Sequence, residues 1–234
     1  MSEKKIKIVK DGPYIVTGNV DLSEKIIRPT DDETRDEQYV WEDGGEIPHG
    51  ETYALCRCGA SRKHSFCDGS HTKVGFDGTE TASRKTYMER AELIKGKNVD
   101  LLDDGRCARA RFCYRGKGDT WFLASCDDSS EKTVCEAVKS ACECPAGRLT
   151  ALAKDGSCIE PELEPEIEIT QDPEMGVSGG INVKGGIPLV AADGFRYETR
   201  NRYVLCRCGR SKDKPFCDGA HIDEKFNDGN CPDS

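Results

Sequence analysis

Two segments of this 234-residue chain place three thiols and one imidazole at the same spacing. Residues 53–76 read YALCRCGASRKHSFCDGSHTKVGF and residues 203–226 read YVLCRCGRSKDKPFCDGAHIDEKF; the offset is 150 throughout, and 13 of 24 positions are identical. The candidate ligands are Cys56, Cys58, Cys67 and His71 in the first copy, and Cys206, Cys208, Cys217 and His221 in the second. Soft thiolates joined by an imidazole suit either a tetrahedral zinc ion or an iron–sulfur cluster. Zinc sites commonly open with C-x2–4-C. C-x-C is tighter, and suits a bridged two-iron centre whose second iron takes the later Cys and His. The Gly after each Asp lets the backbone turn tightly, and Asp68 and Asp218 are placed to cap a short helix that presents the His.

A further set lies between the copies. Residues 107–113 read CARARFC and residues 144–149 read CPAGRL. C-x5-C followed by C-P is the skeleton of a small ferredoxin without its usual central Cys, with Ala110 in the vacant place. Cys107, Cys113 and Cys144 suffice for a 3Fe–4S cluster, or for a 4Fe–4S cluster if a fourth ligand joins them. Cys142 is the first candidate for that role and Cys126 the second. The competing reading is a cluster-free packing unit, since free Cys packs readily as a small hydrophobe. Cys135 reads as a core residue, Cys158 and Cys231 as uninvolved, and His49 and His64 as surface residues outside the ligand pattern.

The repeated pattern C-x-C-x2-S/T-x3-P-x-C-D-G-S/A/T-H resembles that of the CDGSH (mitoNEET-like) iron–sulfur family. Copy two matches throughout, with Cys206, Cys208, Ser211, Pro215, Cys217, Asp218, Gly219, Ala220 and His221; copy one departs at Ser65, where the family has Pro. The resemblance implies a 2Fe–2S cluster in each copy. Cys56 and Cys58 (or Cys206 and Cys208) would hold the inner iron, and Cys67 with His71 (or Cys217 with His221) the outer one. Single-motif members are homodimers with their cluster sites side by side. Two motifs in one chain therefore imply a monomer with pseudo-two-fold symmetry. The middle unit resembles the divergent mono-cluster ferredoxin domain, which also occurs fused to CDGSH motifs.

The elements that must position these ligands follow from local pattern. Ile6-Lys-Ile8 and Pro13 to Gly18 answer Ile167-Glu-Ile169 and Pro173 to Gly179, each expected to form a short strand and turn. The acidic stretch 31–37 reads as a solvated loop and 81–97 as a polar connector. Trp121-Phe-Leu-Ala124 is expected as a strand. Asp128-x-x-Glu131 is expected to box the start of a helix carrying Val134, Val138 and Ala141 on one face. The Pro/Glu run 160–166 reads as an extended linker. Three modules result: 1–80, a first CDGSH module; 81–160, connector and ferredoxin-like module; 161–234, a second CDGSH module. The expected fold class is α+β, two small β-rich modules forming a pseudo-dimer around a βαβ-type insert.

Composition narrows the function. Hydrophobic residues are 36% of the chain, and 34 Lys+Arg against 43 Asp+Glu leave a net charge of −9. Such an acidic chain repels phosphate backbones and anionic lipid, so neither nucleic acid nor membrane is an expected partner. No apolar run reaches the ~18–20 residues of a spanning helix. The start Met1-Ser-Glu-Lys-Lys-Ile-Lys7 has no apolar h-region, so a cytoplasmic location is expected. In that reducing setting 14 Cys point to metal or redox chemistry rather than to disulfides. No phosphate-binding loop, nucleophile elbow or Ser/His/Asp set is present, so the chain reads as a non-enzyme. Replacing one thiolate by neutral imidazole raises a cluster's potential and makes that ligand sensitive to protons. Two functions follow: a one-electron carrier serving a redox partner protein, or a pH- and redox-sensitive sensor that donates a 2Fe–2S cluster to an apo-acceptor.

Overall fold

The computed structural model describes residues 3–30, 38–116 and 118–233; the acidic stretch 31–37 lies outside the described residues. Its architecture is mixed α+β, mostly strands with a few short helices. Alternating apolar side chains make the strands of the two copies. In the first, Lys5–Ile8 and Tyr14–Thr17 pair antiparallel, and Tyr53–Leu55 adds to the far side. In the second, Glu166–Asp172 pairs with Val177–Lys184, which pairs with Arg202–Leu205.

Each copy lends the other a strand. Leu189–Val190 of the second copy runs parallel to Lys5–Ile8, with Ile6 opposite Leu189. Asp21–Pro29 of the first copy runs parallel to Glu166–Asp172, with Ile167 opposite Leu22. This exchange gives one sheet of four strands and another of five, closed at its edge by Tyr39–Glu46. Because the strands cross over, both copies share one apolar core. Ile6, Ile8, Tyr14, Val16, Leu22 and Leu55 pack with Ile167, Ile169, Ile181, Val183, Leu189 and Leu205.

Register corrects the flank alignment. Tyr14 and Val16 face Leu55 and Tyr53, and Ile181 and Val183 face Leu205 and Tyr203. Tyr14–Thr17 therefore corresponds to the stretch around Ile181–Val183, not to residues 173–179. Gly179 lies inside a strand rather than at a turn, against the side chain of Thr170. The extra residues of copy one lie between Val16 and Tyr53, where they build the hairpin Asp21–Pro29/Tyr39–Glu46.

The middle unit has its own core of Val99, Leu101, Leu123, Ala124, Ala137, Ala141, Leu149 and Ala151. Its sheet runs Cys158–Ile159, Leu149–Leu152, Asp100–Asp103, Glu92–Ile94, and every neighbouring pair is antiparallel. Two helices, Thr120–Ser125 and Glu131–Cys142, join its two central strands. The topology is thus strand–helix–helix–strand, with antiparallel partners where a βαβ crossover would give parallel ones. Trp121 to Ala124, expected as a strand, is helical because the Asp119 carboxylate accepts the Phe122 N–H at 2.8 Å and caps the turn. Ser130 rather than Asp128 caps the longer helix, accepting from Thr133 N, while Asp128 binds Ser130 N and the Thr133 hydroxyl. Val134 and Val138 pack on the core as expected, but Cys135 is exposed on the opposite side. Within the connector, residues 86–89 form a Thr–Glu capping box that starts the short helix Tyr87–Arg90.

Candidate metal centres

The two C-x-C…C-D-G-x-H loops fold alike. In copy one, Ser61 receives the Lys63 N–H and donates to Phe66 O, while Asp68 accepts from Arg62 N and Ser70 N. In copy two, Ser211 and Asp218 make the same bonds to Asp213 N, Phe216 O, Lys212 N and Ala220 N. Gly69 and Gly219 sit at φ 86° and 85°, a left-handed conformation that glycine adopts without a Cβ penalty, and they open the helices Ser70–Lys73 and Ala220–Asp223 that carry the His. Ser65 in place of Pro changes no ligand contact: Cys56 N donates to Ser65 O at 2.7 Å, as Cys206 N does to Pro215 O at 2.8 Å.

The donors come in pairs. Cys56 and Cys58 Sγ are 3.6 Å apart, and Cys206 and Cys208 Sγ are 3.7 Å apart. Cys67 Sγ to His71 Nδ1 and Cys217 Sγ to His221 Nδ1 are both 3.4 Å. With a metal–sulfur bond near 2.3 Å, the edge of a tetrahedron is about 3.8 Å, and a sulfur–nitrogen edge is about 3.6 Å. Each pair is therefore spaced to clamp one metal atom. Among the described residues, no three Cys, His, Asp or Glu side chains gather around a single ion. Within each C-x-C pair, the hydrogen bond from Cys58 or Cys208 pulls Cys56 down to about 6 and Cys206 down to about 7, towards thiolate at neutral pH. Backbone N–H groups of Ala60, Arg210 and Gly219 point at Cys58, Cys208 and Cys217 sulfurs from 3.5 Å.

The Arg between each pair of thiols is a site residue that the ligand pattern passes over, although its identity in both copies was visible. Arg57 and Arg207 are almost fully buried. Arg57 donates to the carbonyls of Val9, Gly12 and Gly78. Arg207 donates to Gly179 O and Thr170 O and pairs with Asp228, where copy one has Gly78. These bonds tie each C-R-C turn to neighbouring backbone of its own copy.

The two sites abut. A Cβ on Gly59 would lie 2.5 Å from Cys208 O, and one on Gly209 would lie 2.7 Å from Cys58 O, so only glycine permits this approach. Tyr14 of copy one crosses to donate to Cys206 O and Pro215 O. The sites differ in exposure. Cys206, Cys208, Cys217 and His221 are all buried, whereas Cys58, Cys67 and His71 are half-exposed. Burial lowers His221 to about 4.

In the middle unit, Cys107 and Cys144 lie near enough to Cys113 to act on it electrostatically, but among the described residues the three thiols are not drawn into one ligand set. Burial pushes Cys113 up to about 11, with further upward contributions from the neighbouring charges of Cys144 and Cys107. Cys113 and Cys144 pack on the rim of the middle core. Arg109 and Arg111 take left-handed φ of 56° and 67°, turning the loop so that Arg109 N donates to Cys107 Sγ at 3.3 Å. Alternating turns of this kind aim backbone N–H groups at an anionic centre. Cys142 stands apart: its thiol faces Ile159 O at 3.6 Å, and the charges that act on it are Arg202, Glu160 and Glu143 rather than other thiols. Cys126 is engaged by Asn98, Leu123 O and Asp128 O, and Cys231 by Val177 O; Cys158 is exposed. His64 is exposed, and the His49 ring lies tilted against Tyr53 with centroids 4.7 Å apart. The 107–109 segment meets the second site, where Ala108 packs with Val204 and Cys217, and Cys107 contributes to the charge around Cys217.

The family described as iron-binding zinc finger, CDGSH type, matches residues 11–72 and 178–222. CDGSH domains bind iron–sulfur clusters, and both matched segments contain a complete Cys3His set. No curated protein and no solved structure matches the chain. No helix among the described residues is long and apolar enough to cross a membrane.

Proposed function

We propose that this chain is a one-electron carrier, not an enzyme, with a 2Fe–2S cluster in each Cys3His site and a third cluster, 3Fe–4S or 4Fe–4S, on Cys107, Cys113 and Cys144. The observation that carries the reading is contiguity. The first site touches the second through Gly59 and Gly209, and the second touches the middle set through Cys107, Ala108 and Cys217. Three donor sets in series form a path for single electrons. The pairing of donors, Cys with Cys and Cys with His, supports two-metal centres with one metal atom clamped by each pair. The reciprocal strand exchange supports reading the two copies as a pseudo-dimer in one chain.

Bound clusters supply the electron chemistry; the protein holds, buries and electrostatically sets them. Backbone N–H bonds to the Cys58 and Cys208 sulfurs offset the negative charge of a reduced cluster and so favour reduction. Donation of a cluster to an apo-acceptor is the second reading, favoured by the half-exposure of Cys67 and His71. A potentiometric titration followed by EPR tests the first. Repeated reduction and reoxidation with iron retained supports electron transfer; stoichiometric loss of 2Fe–2S to apo-ferredoxin on oxidation supports donation.

A further inference from the structure

At the second site, the face over Cys217 and His221 is occupied by the chain's own middle unit. Two ion pairs hold it there: Arg106 Nε to Asp213 at 2.9 Å and Arg109 Nη1 to Asp223 at 2.9 Å. Ala108 and Ala146 fill the centre against Val204 and Cys217, and the Arg109 side chain lies on Gly219.

The repeat maps this face onto the first site residue by residue. Asp213 corresponds to Lys63, Asp223 to Lys73, Glu224 to Val74, and Val204 to Ala54. Both acidic anchors are replaced by lysine, so the middle unit's arginines would be repelled here, and the wrong docking is disfavoured. Arg62, Lys63 and Lys73 are exposed, none makes an ion pair among the described residues, and Val74 is 56% exposed. Three cations with no ion pair among the described residues, beside the exposed Val74, are notable on a chain of net charge −9.

We propose that this open face of the first site is a docking surface for a separate protein with an acidic face, its carboxylates taking the place that Arg106 and Arg109 take at the second site with charge reversed. The proposal rests on the one-electron reading, since it names the port through which the chain meets its partner. Complementary charge of this kind sets encounter rate and orientation, and it weakens with salt.

The test uses the anaerobically purified full chain and two probes, an acidic plant-type ferredoxin and a basic cytochrome c. The variants are Lys63→Asp/Lys73→Asp, with Lys63→Ala/Lys73→Ala as the milder pair. Copy two shows that the same loop and helix accept Asp at both positions. The expected result is ferredoxin binding at low salt, weakened about tenfold by charge reversal, less by the alanines, and lost as salt rises. Cytochrome c should gain affinity with the reversal. Equal ferredoxin binding by wild type and the reversed variant would overturn the proposal. So would self-association of the wild type that the reversal abolishes, which would make a second copy the occupant, or equally tight binding of phosphatidylserine vesicles. EPR of the same samples separates the two levels. Absence of a 2Fe–2S signal from the first site rejects the functional reading; an intact signal with unchanged binding rejects only the docking surface.

Discussion

The two motif histidines, His71 and His221, are the same candidate ligand in different surroundings. Protons compete with iron for an imidazole nitrogen, so acid should labilise each site. Burial disfavours the charged imidazolium, which is why His221 falls to about 4, whereas His71 is half-exposed. The first site should therefore release its cluster at a milder pH than the second. Visible absorbance during acid titration, with each site followed in a variant lacking the other, would check the order. His71→Cys should slow that loss and lower the potential, because thiolate adds charge and binds iron more strongly. The buried pair Arg207–Asp228 gives a second residue-scale expectation. Burial pushes the Asp228 carboxyl up, but the charge of Arg207 and hydrogen bonds from Ser178 and Asn230 outweigh it and hold the group at about 2. Its contribution is full above an unfolded pKa near ~3.9 and is lost as pH falls towards that folded value. Asp228→Asn strands the arginine charge and should cost about 3–5 kcal/mol in denaturant unfolding.

Among the elements, the ligand loops are where glycine decides the outcome. Gly69 and Gly219 share the same left-handed φ, yet a Cβ on Gly69 would meet nothing within 4 Å while one on Gly219 would meet Arg109 at 2.6 Å. Gly69→Ala should cost only the ~1–2 kcal/mol of left-handed strain. Gly219→Ala should in addition displace the Arg109 side chain and weaken its pair with Asp223, seen as a larger fall in thermal stability than Gly69→Ala gives. The loops were legible in the sequence because the repeat printed the same residue types at the same spacing twice. The elements around them were less so. Trp121 to Ala124 looks like a strand by composition, but the Asp119 cap and packing of Leu123 on the middle core make it helical. Cys135 and Cys142 lie on one helix yet neither joins Cys107, because Cys142 turns to Ile159 and Cys135 faces solvent. The exchange of Asp21–Pro29 and Leu189–Val190 between sheets is a long-range pairing, and local periodicity carries no information about which distant strand lies alongside.

At the scale of the whole molecule, one shared core fixes the two Cys3His sites back to back, and a separate core sets the middle unit against the second. The order of candidate donor sets is thus middle, second, first, with the most open donors at the far end. The most direct test is iron and sulfide quantitation on anaerobically purified protein, combined with EPR of the wild type and of Cys144→Ser. The account predicts acid-labile sulfide, two 2Fe–2S signals and a third signal that Cys144→Ser abolishes while both 2Fe–2S signals remain. It also predicts that magnetic broadening of the second site's signal by the middle centre disappears in that variant. Stoichiometric zinc without sulfide would contradict the account at its root, and 2Fe–2S signals alone, unchanged by Cys144→Ser, would make the middle unit a cluster-free module.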